Sequence, residues 1–479
     1  MDTASVAFAV TQIGATFSLA PFDVLLQPLI EATLTEQGKS RWRRGTRLIP
    51  SLLIWLVLVL TLRRDLSYDQ ALNWLVSGFR WLTTVLPPQT KLISDGAISH
   101  ARVKLGVEVF RVLWNKLKAS SQALPADFQG LTSVIFDGST GTMPDTAANR
   151  TAFGKPHARR ATAAFPQVRL MSLLAVAQRR LVDLTFAPYT GKGTGERTLM
   201  RTLLARLPCQ GLLFLMDAGL YAFDVVWDIT QRGGQVILKA PASVNFKRTQ
   251  RLPDGSWRAE VTGKLLDSTV PPTPGGRRHW QSTTLTVRVM RLEIAGFRPF
   301  WLMTTLLDPA IPAREIVQQY HRRWDIEIAY DEIKTHQCVT LRGQSPTTFR
   351  SKLPDLVKQE IYALAITYNA VRTLMSQAAA AHDQDPTTLS FLDALHHIVE
   401  AAPFLTAATP DRRALMRPYL LTLLADCQID RPRRPRVTPR VIKVKLSKWV
   451  RKTADHQSTV RDIAQQLKII EVRPEGGPA

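Results

Sequence analysis

Two apolar runs in the middle of the chain each stop at an aspartate. "SVIFD" closes on Asp137 and "GLLFLMD" on Asp217. Unbroken apolar runs mark strands buried on both faces, because a half-exposed strand alternates apolar and polar residues. Around them the chain reads strand, strand, strand, helix, strand, helix, strand: "TSVIFDGST", "VRLMSLLAVAQ", "RLVDLTFAPY", "GERTLMRTLLARL", "GLLFLMDAGLY", "AFDVVWDITQRG" and "GQVILKAP". That order predicts a mixed α/β domain whose two Asp-terminated strands are buried on two faces. Ligands of open α/β sheets gather outside the carboxyl ends of strands. Asp137 and Asp217 are therefore candidate functional acids at that edge.

The flanks read differently. Residues 1–124 carry helical spacing, with Ser67 as the N-cap of "SYDQALNWLVSGFRWL" and a second helix over "ISHARVKLGVEVFRVLWNKL". Two such helices fit a small DNA-binding module, and generic amphipathic helices fit the same pattern. The run "SLLIWLVLVLTL" at 51–62 is shorter than the roughly 20 apolar residues of a membrane span, so it reads as a buried helix. No basic segment precedes an apolar run at the start, so no signal peptide is expected. Residues 241–298, with "LPDGSW", "PPTPGGRRHW" and "STTLTVRVMRLEI", read as a small β-rich insertion with a Pro-Gly loop. The sheet is expected to resume at "FWLMTTLLDP". The resulting division is 1–124 helical, 125–378 α/β with the insertion, and 379–479 helical with a basic tail. That tail, at 431–452, holds ten basic residues and no acid, and reads as a phosphate-binding arm or a solvated extension. Across the chain 62 Lys and Arg face 39 Asp and Glu, a net charge of +23. Such an excess points to a polyanionic partner. Cys209, Cys338 and Cys427 show no pairing or ligand spacing, which fits a reducing cytosol and argues against a zinc module.

The segment "YHRRWDIEIAYDEIKTHQ" at 320–337 reads as one helix with unusual cargo. Tyr320, Arg323, Glu327 and Lys334 fall within an arc of about 60° on an ideal helix, while Ile326, Tyr330 and Ile333 fall on a neighbouring face. Asp137, Asp217 and Glu327 thus become three candidates for one site. Converging carboxylates cannot all stay ionised and unpaired; they raise one another's pKa or demand cations. A few hard oxygen ligands select Mg²⁺ or Mn²⁺, and two such ions about 4 Å apart serve phosphodiester chemistry. The cations beside Glu327 then suit DNA phosphates. Asp145, Asp183, Asp224 and Asp228 do not end buried apolar runs, and Asp331 is the rival nearest Glu327. The nine histidines show no ligand pattern.

The set "FDGST", "MDAGLY" and "YHRRWDIEIAYDEIK" resembles the DDE transposases of bacterial insertion sequences, in particular the insertion element 4 family. Its signature is Tyr, two residues, Arg, three residues, Glu, six residues, Lys, which Tyr320, Arg323, Glu327 and Lys334 match without a gap. "RWRRGTRLIPSLLIWLVLVLTLRRDLSYDQALNWL" and "MPDTAANRTAFGKP" resemble further parts of that family. The resemblance implies an RNase H-like core, a β-rich insertion between the second Asp and the Glu, and Mg²⁺-dependent cut-and-paste transposition. In relatives of transposon five the reaction passes through a DNA hairpin. Many relatives carry Asp-Arg-Gly-Tyr at the second Asp; here Ala218 stands in the Arg position and Leu220 precedes Tyr221. Trp301 resembles the base-stacking Trp of the transposon five relatives, at a spacing to Glu327 two residues shorter. Trp257 and Trp280 are the alternative platforms. Lys239 matches, by its spacing from Asp217, a DNA-contacting Arg of those relatives.

The sequence thus reads as an RNase H-like α/β core with helical flanks. Asp137, Asp217 and Glu327 are expected to hold two Mg²⁺ ions, with Mn²⁺ able to substitute. Tyr320, Arg323 and Lys334 are expected to meet DNA, and the resemblance implies the same of Trp301 and Lys239. The expected partners are terminal inverted repeats, target DNA and a second copy in the end complex, with no membrane, in the cytoplasm at the nucleoid. The rival readings are a structure-selective nuclease on the same fold and an inactive DNA-binding relative.

Overall fold

The computed structural model describes residues 19–40, 42, 48–77, 93–120, 124–158, 161–267, 278–293, 299–337, 339–340, 343–344, 347–429 and 468–469. In chain order the elements used below begin with helices α1 (Asp23–Glu36), α2 (Pro50–Leu62), α3 (Tyr68–Leu75), α4 (Asp95–Leu105) and α5 (Val107–Ser120). Next come β1 (Thr132–Thr142), α6 (Ala147–Phe153), β2 (Gln167–Ala175), β3 (Arg180–Pro188), α7 (Glu196–Leu204), β4 (Leu212–Met216), α8 (Phe223–Gln231) and β5 (Gln235–Lys239). They are followed by β6 (Lys247–Arg251), β7 (Trp257–Leu266), β8 (Trp280–Glu293), β9 (Phe300–Thr304), α9 (Ala313–His321), α10 (Asp325–Asp331), α11 (Pro354–Ala381), α12 (Phe391–Ala407) and α13 (Pro410–Ala425). The chain forms two compact units: residues 1–125, 138–203 and 325–429 in one, and 126–137, 204–324 and 430–479 in the other. Strand β1 contributes residues to both.

The first unit is built on helix α11, 28 residues long, which packs against α2, α5, α12 and α13. Every residue of α2 except Ser51 is buried. A helix that is apolar all round must be enclosed by protein, and this one is. No described helix is long and apolar enough to cross a membrane. Ser67 does cap α3: its side chain accepts from Gln70 N, and Gln70 Oε1 accepts from Ser67 N, a closed capping box. The second helix expected in this region is broken. Gly106, at φ +79°, ends α4 in a conformation that side chains disfavour, and α5 starts afresh. Here β2 and β3 pair antiparallel, in the order β3-β2-β1.

In the second unit the order is β1-β4-β5-β9-β8-β7-β6. β1 and β4 run parallel, as do β4 and β5; these strands are the apolar runs the sequence marks. β9, β8, β7 and β6 then add antiparallel. The insertion is β-rich, and it does not interrupt the sheet. Its strands extend the same sheet, because Leu285, Val287, Val289 and Met290 of β8 supply an apolar stretch that is buried and its last part pairs with β9. The Pro-Gly loop at 268–277 and the basic run at 431–452 lie outside the described residues. A second expectation also fails. Asp137 does not end its strand; β1 continues to Thr142, and only its burial changes at Asp137. The orders β3-β2-β1 and β1-β4-β5 are those of an RNase H-like core.

Gly141 leaves space that β1 needs. A Cβ there would stand 2.3 Å from the ring of Phe349, which is 1% exposed. Gly141→Ala is expected to lower stability by about 1–3 kcal/mol through overpacking, measured by chemical denaturation.

Candidate active site

The register of two parallel strands brings the two aspartates level. Ile135 lies opposite Leu215, so two residues further on Asp137 lies level with Asp217. Successive side chains alternate faces, which puts both carboxyls on one face, on strands about 4.8 Å apart. The stacked rings of Phe136 and Phe214, 5.5 Å apart, occupy the opposite face. Both aspartates are half-buried. Asp217 stands just past β4, where its Oδ1 accepts from Ala218 N at 2.8 Å and caps the 3-10 turn Ala218–Leu220.

Helix α9 packs on the aspartate face through a polar anchor that the sequence does not advertise. Asp127, just before β1, accepts from Ser133 N at 2.6 Å with Oδ1. Its Oδ2 accepts from Gln319 Nε2 at 3.2 Å and from Arg322 Nη1 at 3.2 Å. Gln319 Nε2 also donates to Ser133 Oγ at 2.6 Å, and Ser133 shares a face with Asp137. These contacts hold the residues next to Tyr320 and Arg323. Tyr320 is 8% exposed; burial pushes its hydroxyl up to about 12, with Arg323 opposing and Asp217 adding to the shift. Arg323 is buried too, with its Cζ 5.8 Å from the Tyr320 ring and 4.6 Å from that of Trp324. Its Nε has no hydrogen-bond partner among the described residues.

On the neighbouring strands, Lys239 lies opposite Leu302, and its Nζ stands 4.8 Å from the Phe300 ring. Trp301, half-buried, packs on Phe246 at 5.6 Å, and its carbonyl accepts from Ala240 N at 2.9 Å. Of the alternative platforms, Trp257 carries Arg248 at 5.3 Å and Trp280 is 57% exposed.

The signature segment is not the single α-helix the spacing predicts. Helix α9 ends at His321, Arg322–Trp324 is a 3-10 turn, α10 follows, and Glu332–His336 is a π-turn. A 3-10 turn winds tighter than an α-helix and a π-turn looser, so the arc of an ideal helix does not describe the four residues. In the unit that holds α10, Ile326 and Ala329 are buried and Glu327 is exposed. Lys334 Nζ donates to Ser139 Oγ on β1 and lies 5.5 Å from the Tyr330 ring.

The rival acids have structural partners. Asp145 pairs with Arg150 and Lys155 at 3.0 and 2.7 Å. Asp183 is buried against Lys118 at 2.8 Å, and Asp228 pairs with Arg232 at 3.1 Å. Asp224 stands in the first turn of α8, where a negative charge favours the helix dipole. Asp331 accepts from Thr335 Oγ1 at 2.8 Å. Among the described residues no three His, Cys, Asp or Glu side chains are gathered as a metal-binding group. The donor set the sheet itself supplies is the level pair Asp137 and Asp217, hard oxygens of the kind that suit a small divalent cation.

An RNase H-like sheet with paired aspartates on its central strands fits the DDE transposases, and comparison with known proteins gives the class and the family. Residues 19–115 match the family described as insertion element 4 transposase N-terminal, and residues 129–370 match the transposase DDE domain. The chain belongs to the insertion element 4 family of DDE transposases. It is 26% identical over 438 residues to the transposase InsG for insertion sequence element IS4 of Escherichia coli (strain K12), covering 89% of this chain and 92% of that one. Among solved structures it aligns with the piggyBac transposase synaptic complex with hairpin DNA, at a TM-score of 0.45 and 9% identity over 86% of each chain. Proteins of this family are DNA-binding transposition enzymes whose DDE domains generally use divalent metal ions.

Tyr320 gives the site a pH signature. Its folded pKa lies above the ordinary value of 10.0, at about 12. The stability it contributes is fully present below pH 10 and is lost as pH climbs towards 12. Tyr320→Phe is expected to flatten that alkaline loss, read by thermal melting from pH 9 to 12.

Proposed function

We propose that this protein is a cut-and-paste transposase. It binds the terminal inverted repeats of its element, frees the ends by hydrolysis and hairpin formation, and joins them to target DNA. Acting as a homodimer in the end complex, it works in the cytoplasm at the nucleoid. The observation that carries the reading is the level placement of Asp137 and Asp217 on one face of the sheet, in a chain that also holds the ungapped Tyr320, Arg323, Glu327, Lys334 signature.

Asp137, Asp217 and Glu327 are the ligands for two Mg²⁺ ions, replaceable by Mn²⁺. When bound, such ions activate the attacking oxygen and stabilise the departing one. The protein's own residues do the rest. Arg323 presents a buried guanidinium whose Nε has no partner among the described residues, and a phosphate oxygen satisfies it. Lys334 and Lys239 add positive charge for the strand backbone, and the Tyr320 hydroxyl, held protonated by burial, donates to it. In the hydrolytic step the oxygen of water bonds to phosphorus and the 3′-oxygen leaves. The same position then admits a 3′-hydroxyl for hairpin closure and for target joining. The helical region 1–124 reads the element ends, residues 125–378 form the catalytic domain, and residues 379–479, with their basic tail, form the third part.

Trp301 is the stacking platform for a base displaced when the strand bends into a hairpin, since base–aromatic stacking contributes about 1–3 kcal/mol. Trp301→Ala is expected to spare first-strand nicking and to reduce hairpin formation, with partial rescue by an abasic site at the displaced position. Normal hairpin formation by a folded variant places the platform elsewhere.

The acids are tested by Asp137→Ala, Asp217→Ala and Glu327→Ala. Each is expected to abolish cleavage of element ends while leaving end binding in place, and chelation of divalent ions does the same to the unaltered protein. A variant that still cleaves removes its residue from the site. A protein that cleaves but never joins ends in a strand-transfer assay with Mg²⁺ is a nuclease, not a transposase.

A further inference from the structure

Glu332 occupies a position where a carboxylate is out of place. Ile326, Ala329 and Ile333 form the buried side of α10 and the turn after it, and Glu332 stands among them at 6% exposure. It opens the π-turn, whose i+5 bond is Gln337 N to Glu332 O at 2.8 Å. Such turns recur at functional sites because they re-aim side chains.

The carboxylate is held from α11. Arg372 Nη2 donates to Oε1, and Tyr368 Oη lies 3.0 Å from Oε2. The same hydroxyl lies 2.7 Å from the carbonyl oxygen of Arg179. Arg179 in turn reaches Asp325, the first residue of α10, at 3.3 Å. A closed frame results: Asp325, Arg179, Tyr368, Glu332. It grips both ends of the short helix that carries Glu327. Arg179 adopts φ +48° within it, a conformation a side chain keeps only when its surroundings over-determine it.

The frame is poorly made for stability alone. Breaking a buried ion pair is costly, but replacing the whole pair by packed apolar groups is often neutral or stabilising. Arg372 Nε and Nη1 have no hydrogen-bond partner among the described residues; its Cζ lies 5.4 Å from the Phe391 ring and 6.0 Å from that of Tyr368. What a directional polar frame supplies, and apolar packing does not, is one defined rotation of α10 about its axis.

We propose that Glu332, Arg372, Tyr368 and Arg179 are positioning residues, a buried polar frame that sets the rotation of α10 and so the aim of Glu327 and Lys334. The inference rests on the reading of Glu327 as a metal ligand.

The test uses the full chain carrying Glu332→Leu with Arg372→Met. Three readouts are taken: thermal melting, cleavage of element ends across a Mn²⁺ titration, and Mn²⁺ binding without DNA by electron paramagnetic resonance. The melting temperature is expected to hold or rise. Cleavage is expected to fall about tenfold or more, the scale of a small misplacement of a reacting group, with weaker Mn²⁺ binding and a higher Mn²⁺ requirement. A stable variant with unaltered cleavage and Mn²⁺ requirement overturns the proposal. Should the pair fail to fold, Tyr368→Phe removes one hydroxyl and carries the same test: a raised Mn²⁺ requirement supports the frame and an unaltered one overturns it. Glu327→Gln runs alongside and is expected to be inactive at every Mn²⁺ concentration. If it cleaves normally, the metal-ligand reading falls. If it is inactive while the frame variants behave as the unaltered protein, only the frame falls.

Discussion

The parallel pairing of β1 with β4 is the constraint on which the site depends. Pairing Ile135 with Leu215 puts Asp137 level with Asp217, and a slip of one residue would send one carboxyl to the other face. Both strands can sit in the centre of a sheet because their apolar runs tolerate burial on both faces. The change comes at the two aspartates, where the fully buried runs Thr132–Phe136 and Leu213–Met216 give way to half-buried positions.

Around that pairing, polar groups are spent on orientation. Asp127 gathers Ser133, Gln319 and Arg322 onto one carboxylate. In doing so it seats α9 over the aspartate face and brings Tyr320 within reach of the Asp217 charge. In the other unit Glu332 meets Arg372 and Tyr368 away from solvent. Burial keeps the Tyr368 hydroxyl protonated far above its ordinary range, reinforced by the Glu332 charge. Burial works against the charged form of Arg372, and Glu332 and Tyr368 together more than offset it. Buried charges of this kind need directional partners, and that need ties a side chain to one place.

Some errors of the sequence reading share a cause. An ideal helix spreads 320–337 over one periodic surface, but the backbone changes its winding at Arg322 and again at Glu332. Winding answers to contacts distant in sequence, such as Arg322 with Asp127 and Glu332 with Arg372, and periodicity contains none of them. The sequence likewise marks the insertion as β-rich without placing its strands, because local pattern cannot say which edge a strand joins.

By itself the sequence determined the mixed α/β class, the buried helix expected over 51–62, the cap at Ser67 and the two apolar runs that close on Asp137 and Asp217. These follow from local physics: apolar period, capping chemistry and the abrupt end of an apolar run. The family was legible as well, since four residue types at set spacing outweigh a lone acid. Only the tertiary structure decided that the two aspartates stand level, that β1 continues beyond Asp137, and that Asp127, Gln319 and Arg322 anchor the signature helix. It alone revealed that Glu332 is a core residue. Each of these rests on pairs of groups far apart in the chain, whose burial is tolerable only once the fold has brought them together.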